Sequence, residues 1–281
     1  MNQLNKLHQL DELWQLDILI TLLGFGLIYF LIINRMKILN PTVKIASWKQ
    51  QLSFSAGLLL LMVSEGSPLS LIGHHYLFSV HMIQMTITYI MVPPLLILGM
   101  PSWMFKPFAH IKVVRRICAF LSNPILAVVL FNGLFSFYHF PFIFDYLMGN
   151  GSLKSLYHII LFITSIFMWV PLFPPIPSMD KLSGLQKTAY IFAMGVLLTP
   201  ACALIIFSKK IIYSTYQHAS VILYSSYNPV EDQQLGGVIM KVAQEIIYGT
   251  VLGSIFVQWF KKEKIYKIDE LPPNNFDIRK E

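Results

Sequence analysis

Charge is what this 281-residue chain has least of. Asp, Glu, Lys and Arg make up 12% of it, against about 25% in soluble globular domains. No charged residue occurs from Gly66 to Phe105, from Ile117 to Phe144, from Ser155 to Met179 or from Thr188 to Ser208. Each run reaches or exceeds the roughly 20 residues that a helix needs to cross the hydrocarbon core of a bilayer, which excludes a soluble fold. Cysteine is also scarce. Cys118 and Cys202 lie far apart and form no CxxC pair, so neither a disulfide framework nor a thiolate metal site is expected, and both read as buried small residues. HExxH, P-loop, GxGxxG and Ser-His-Asp patterns are missing, which weakens hydrolase, nucleotide and dinucleotide readings. The opening MNQLNKLHQLDELWQLD has little positive charge and no small-residue cleavage site follows it. The first apolar run is therefore expected to be an uncleaved span rather than a signal peptide.

What is present is apolar: 55% of the residues are hydrophobic and the mean hydropathy is +0.60. The expectation is an all-α, polytopic integral membrane protein. It forms one domain, a bundle of seven transmembrane helices over about Leu13–Ile33, Trp48–Val63, Tyr76–Leu98, Ser122–Phe140, Leu156–Leu172, Ala189–Phe207 and Leu235–Trp259. The second span is short and runs into SEGSPLSLIG, which reads as a re-entrant or interfacial piece. The net charge of +7 does not indicate nucleic acid, because the basic residues sit in short connections between spans. Of the 21 Lys and Arg, one side receives only Lys6, Lys154, Lys209, Lys210 and Lys241. By the positive-inside rule that side is external, which puts the N-terminus outside and the C-terminal tail, 261–281, in the cytoplasm. The outer segment 211–228 carries Tyr213, Tyr216, Tyr224 and Tyr227 at helical spacing, the pattern of an interfacial helix.

With this topology the eight histidines separate. Only His110 is cytoplasmic. His8, His74, His75, His81, His139, His158 and His218 fall on the outer side or in the outer leaflet. His139 ends the fourth span and His158 opens the fifth, so the hairpin should bring them to similar depth. On the third span His81, Gln84 and Met85 share one helix face. Imidazole with thioether favours copper, and softness favours Cu(I). Asp145, Asp232 and Gln233 add polar groups at the same level. Spacing alone leaves the bland account open, since a single interfacial histidine usually caps a helix or bonds a neighbour and a methionine in a span is usually filler. The adjacent His74 and His75 would point apart on a helix, so both could serve one ion only from a loop. Pro93-Pro94 should kink the third span, and Gly236-Gly237 permits close helix approach on the seventh. Lys241 and Glu245 are spaced to pair, with Glu245 expected to face the bundle interior.

Together GHHYLFSVHMIQ, VPPLLILGMP, YHFPFIFD, YHIILFITSIFMWVPLFPP and NPVEDQQLGGVIMKV resemble the multi-span CtaG family of cytochrome c oxidase assembly factors of Gram-positive bacteria, over about Leu52 to Trp259. The resemblance implies a multi-pass protein of the bacterial plasma membrane, needed to make active haem–copper oxidase and supplying copper to it. It is an assembly factor rather than an enzyme, with oxidase subunits and the lipid bilayer as partners. The family's recurring polar positions fall here on His81, His139, His158, Asp232 and Gln233. Where many relatives carry a second histidine four residues after the first, this chain has Met85. The expected copper ligands are therefore His81, Met85, His139, His158 and Asp232, with Gln84, His74, His75 and Gln233 in a second tier. Two other functions fit the same features: a membrane copper transporter, and a membrane enzyme that binds haem or another metal through histidine pairs.

Overall fold

The computed structural model describes residues 14–39, 45–217 and 228–269, with side chains described to residue 260. No strand occurs among the described residues. The principal helices are α1 (Leu16–Leu39), α2 (Trp48–Glu65), α3 (Pro68–His75), α4 (Phe78–Gly99), α5 (Lys112–Leu121), α6 (Pro124–Tyr138), α7 (Pro141–Met148), α8 (Gly151–Trp169), α9 (Gly184–Ile206) and α10 (Pro229–Asp269). Five of them, α1, α4, α8, α9 and α10, are long and apolar enough to cross a membrane, and counting the bent pairs α2–α3 and α5–α6 as one span each gives up to 7. Every expected span overlaps one of these helices. Of the outer segment 211–228, only 211–217 and residue 228 are described. Lys6, His8, Lys44, His218, Tyr224 and Tyr227 lie outside the described residues, and the tail 261–281 is described only as the end of α10.

Local chemistry sets these boundaries. Ser47 with Gln50, and Ser183 with Gln186, close capping boxes at the starts of α2 and α9. Pro68 and Pro124 stand at the first positions of α3 and α6, behind caps from Ser67 and Asn123. A proline there cannot continue the preceding helix, so the chain bends by 44° at α2–α3 and by 70° at α5–α6. Pro93-Pro94 do not break α4. A π-helical turn over Ile87–Met91 precedes them, and Ser53 Oγ on α2 donates to the Leu95 carbonyl at 2.8 Å. The missing amide hydrogens are absorbed by a change of helical register within one span.

α4 is the most buried span, at 67%, and packs against α2, α3, α8 and α10, while α9 lies against α6 and α10. Gly236 and Gly237 allow this contact, as expected. A Cβ at Gly236 would meet the Phe78 ring at 2.7 Å, and one at Gly237 would meet Ile206 at 2.8 Å. α1 stands at the edge and buries Tyr29 and Ile33 against α2. The Tyr29 ring stacks on Phe54 at 3.8 Å, and its hydroxyl donates to the Gly99 carbonyl at 2.7 Å.

Three expectations need correction. Tyr213 and Tyr216 do not form an interfacial belt. Both are buried, because their rings pack on Phe78 and Phe144 and their hydroxyls find the carbonyls of His139 (2.8 Å) and Gly73 (2.6 Å). Lys241 and Glu245 do pair, at 2.6 Å, but the Glu245 side chain is 57% exposed. It lies in an open groove between α9 and α10 rather than in the interior. The helical phase gives the inward position to Gln244, which is fully buried and donates to the Gly195 carbonyl at 3.4 Å. Cys118 is only half-buried.

Gly99 gives a direct test of the packing between α2 and α4. A Cβ there would lie 2.5 Å from the Phe54 amide nitrogen, and backbone cannot step aside as a side chain can. Gly99→Ala is expected to destabilise the bundle by about 1–3 kcal/mol, read as a lower melting temperature in detergent. Gly24→Ala, where a Cβ meets nothing within 4 Å, should leave the melting temperature unchanged.

Candidate functional site

The histidine cluster begins with how α4 starts. Leu77 offers no side-chain cap, so the first amide hydrogens of α4 need an outside acceptor. Asp232, in the first turn of α10, supplies it. The Phe78 amide donates to Oδ2 at 2.7 Å and the Ser79 amide to Oδ1 at 3.3 Å. This fixes the entry of α4 against α10 and sets His81 one turn below it. On the other side α3 packs close because Gly73 has no side chain: a Cβ there would lie 3.0 Å from the His81 Cα and amide nitrogen. The next residue, His74, thereby comes beside His81. α6 delivers Tyr138 and His139 at its C-terminus, and α8 delivers His158.

His81 is the hub and is fully buried. Ring centroids lie 5.5 Å from it at His74, 6.2 Å at His139 and 5.9 Å at Tyr138. His158 lies 5.8 Å from His74 and 5.3 Å from Tyr138. Two imidazoles that share one ion at about 2.0 Å hold their centroids roughly 5–6 Å apart, so these spacings are those of near neighbours around a common point. Among the described residues, however, no three His, Cys, Asp or Glu side chains are grouped so that they could hold a metal ion. His139 and His158, on either side of the connection from α6 to α8, are both in ring contact with Tyr138.

The hydrogen bonds are uneven. His139 Nδ1 donates to the Phe135 carbonyl at 2.8 Å, which leaves the Nε2 lone pair as the open acceptor of the buried ring. His74 Nδ1 meets Ser70 Oγ at 3.3 Å, and His158 Nε2 meets the Tyr138 hydroxyl at 3.0 Å. His74 Nε2, His139 Nε2 and both nitrogens of His81 are buried with no hydrogen-bond partner among the described residues. Most buried polar atoms are paired, and an unpaired one costs about 1–3 kcal/mol. A buried imidazole that is tied to backbone or hydroxyl through one nitrogen and open at the other is the pattern of a metal-ligating histidine.

The remaining expected residues divide. Met85 is fully buried within the apolar core, on the His81 face of α4 and one turn deeper. Gln84 donates to Glu65 Oε2 at 3.1 Å and to Ser70 Oγ at 3.3 Å, and its own oxygen is buried without a partner among the described residues. His75 is exposed and points away from His74, as adjacent helical positions must. Gln233 accepts from the Ile212 amide at 2.9 Å and donates to the Lys210 carbonyl at 3.2 Å, which ties down the segment after α9. Asp145 accepts from the Ser214 and Thr215 amides at 3.0 and 3.3 Å and does the same for the following turn. Sequence reasoning did not single out Glu65, whose two oxygens are held by Gln84 and by Thr88 Oγ1 at 2.7 Å. It also missed Tyr138, which precedes His139. Glu65 is the one charged residue between Lys49 and Lys106, and that isolation at a span boundary was its only signal.

The family described as cytochrome c oxidase caa3 assembly factor (Caa3_CtaG) matches residues 27–262. No curated protein and no solved structure matches the chain.

The Asp232 contact predicts its own test. Asp232→Ala removes the acceptor for two amides and should cost about 1 kcal/mol of stability, seen as a lower melting temperature without any metal present. Asp232→Asn, which keeps one acceptor oxygen, should recover most of the loss. An unchanged melting temperature in both variants would show that the carboxylate does not hold α4.

Proposed function

The chain belongs to the cytochrome c oxidase caa3 assembly factor family, and we propose that its histidine cluster takes up Cu(I) and passes it to a subunit of the oxidase at the outer face of the bacterial plasma membrane. Copper is cargo on this reading, not a resident cofactor, and the protein is not an enzyme. One observation supports it above the others: four imidazole nitrogens of His74, His81 and His139 are buried together without hydrogen-bond partners among the described residues. Imidazole suits copper, and neutral nitrogen donors with a nearby thioether suit its cuprous state.

The roles follow from the contacts. His81 is central, with both nitrogens open. His139 and His74 present Nε2, each steadied through Nδ1. His158 exchanges its Tyr138 hydroxyl contact for the ion, and Met85 serves as the soft ligand one turn deeper. Asp232 positions the His81 turn and does not need to touch the ion. Delivery proceeds by ligand exchange: an incoming thiolate, thioether or imidazole of the recipient displaces one imidazole at a time, with no bond cleavage and no general base.

Anaerobic Cu(I) loading of detergent-purified protein, with elemental analysis, tests this. The wild type is expected to retain copper against a competing chelator. His81→Ala should lower apparent affinity at least tenfold, and His74→Ala and His139→Ala by somewhat less. His75→Ala, at an exposed ring, should match the wild type. Full copper retention and full oxidase activity in all three inward variants would overturn the assignment.

A further inference from the structure

The end of the bundle away from the histidine cluster holds a second feature that the assembly role does not use. α5 turns by 70° from α6, so when α6 crosses the membrane α5 lies across the bundle end, near the membrane plane. Its sequence is that of a surface helix: Val113, Ile117 and Phe120 are exposed apolar residues, interleaved with Lys112, Arg115 and Arg116. Such helices rest at the headgroup boundary with their apolar side in the acyl layer.

Beneath α5 is a cavity of ≈ 400 Å³, within the roughly 300–1,000 Å³ of small-molecule sites. Its wall is apolar, from Ile97 at the end of α4 and Ile166 and Val170 at the end of α8. Two cations, Arg115 on α5 and Lys181 on the segment before α9, stand in the same lining. Among the described residues the ion pairs are Lys187 with Asp180 and Lys241 with Glu245, so neither Arg115 nor Lys181 has a carboxylate partner there. Ser122 also lines the cavity, and its hydroxyl is buried with no hydrogen-bond partner among the described residues. An apolar slot with two unmatched cations at its mouth and one hydroxyl inside is complementary to a single class of molecule found in the membrane. We propose that this cavity binds an anionic phospholipid. Its phosphate lies between Arg115 and Lys181, its ester carbonyl accepts from Ser122, and one acyl chain runs along Ile97, Ile166 and Val170. The bound lipid braces α5 against α4 and α8. This inference stands apart from the copper reading, since it uses neither the same residues nor the same end.

Cys118 lines the cavity and is half-buried, whereas Cys202 is buried, so alkylation by a maleimide reports on the site. Delipidated full-length protein in detergent is expected to lose Cys118 reactivity as phosphatidylglycerol is added. Phosphatidylcholine should protect far less, and inorganic phosphate not at all. Arg115→Gln with Lys181→Gln, both at exposed positions, should raise the phosphatidylglycerol concentration for half-protection about 25-fold, at ~5-fold per lost cation. Ser122→Ala should raise it a few-fold. Equal protection by both lipids would overturn the proposal, as would protection by phosphate alone or an unchanged half-point in the double variant.

Discussion

Two amide hydrogens on one carboxylate hold the histidine end together. Asp232 of α10 accepts from Phe78 and Ser79, and every other feature of the cluster depends on where that bond starts α4. A helix that begins inside a membrane protein cannot leave its first amides to water, so an acceptor must come from another helix. The negative charge also sits at the positive end of the α4 dipole, which strengthens the contact. Once the start is fixed, helical geometry determines the rest: His81 falls one turn down, facing α3 and α6, and Gln84 and Met85 follow on the same side.

Around that turn the bundle is sealed by aromatic rings. Phe78 stacks on Tyr213 at 4.7 Å, and Phe144 packs at 4.5 Å on Tyr213 and at 5.4 Å on His81. The tyrosines can be this deep because each hydroxyl reaches a main-chain carbonyl, those of His139 and Gly73. Two of the four elements that carry the histidines are held this way, so the same bonds that satisfy the tyrosines anchor α3 and the end of α6 around His81. The rings are buried, so bulk solvent does not reach the imidazole nitrogens that lack protein partners, and leaving such groups unpaired is costly.

Much of this was legible in the chain itself. The charge-free runs gave the spans, and the hairpin brought His139 and His158 to a shared neighbour, Tyr138. The opposed directions of His74 and His75 followed from their adjacency. What sequence could not supply was the contact between α3 and α4. A short helix after a proline bend reads as a re-entrant or an interfacial piece, and only the close approach at Gly73 shows that it brings His74 to His81. Glu245 was misread for a related reason. A charged residue in an apolar run was assigned to the interior on cost alone, but helical phase decides direction, and phase gave the inward place to Gln244. Tyr213 and Tyr216 read as a belt because periodicity does not report which carbonyls are free to accept a hydroxyl.

The burial of the site bears on which ion it would hold. On the proposed reading the ligands are neutral imidazoles and a thioether, while the nearby carboxylates are already engaged: Asp232 by amides, Glu65 by Gln84 and Thr88. The cost of bringing an ion out of water rises with the square of its charge, so a monovalent ion bears about one quarter of the penalty of a divalent one of equal size. A carboxylate in the inner ring would offset the difference and favour divalent metals. Its engagement elsewhere leaves the balance with the cuprous ion, which also accepts the low coordination numbers that a few converging rings can supply. Selectivity for Cu(I) would then come as much from where Asp232 and Glu65 are committed as from the histidines themselves.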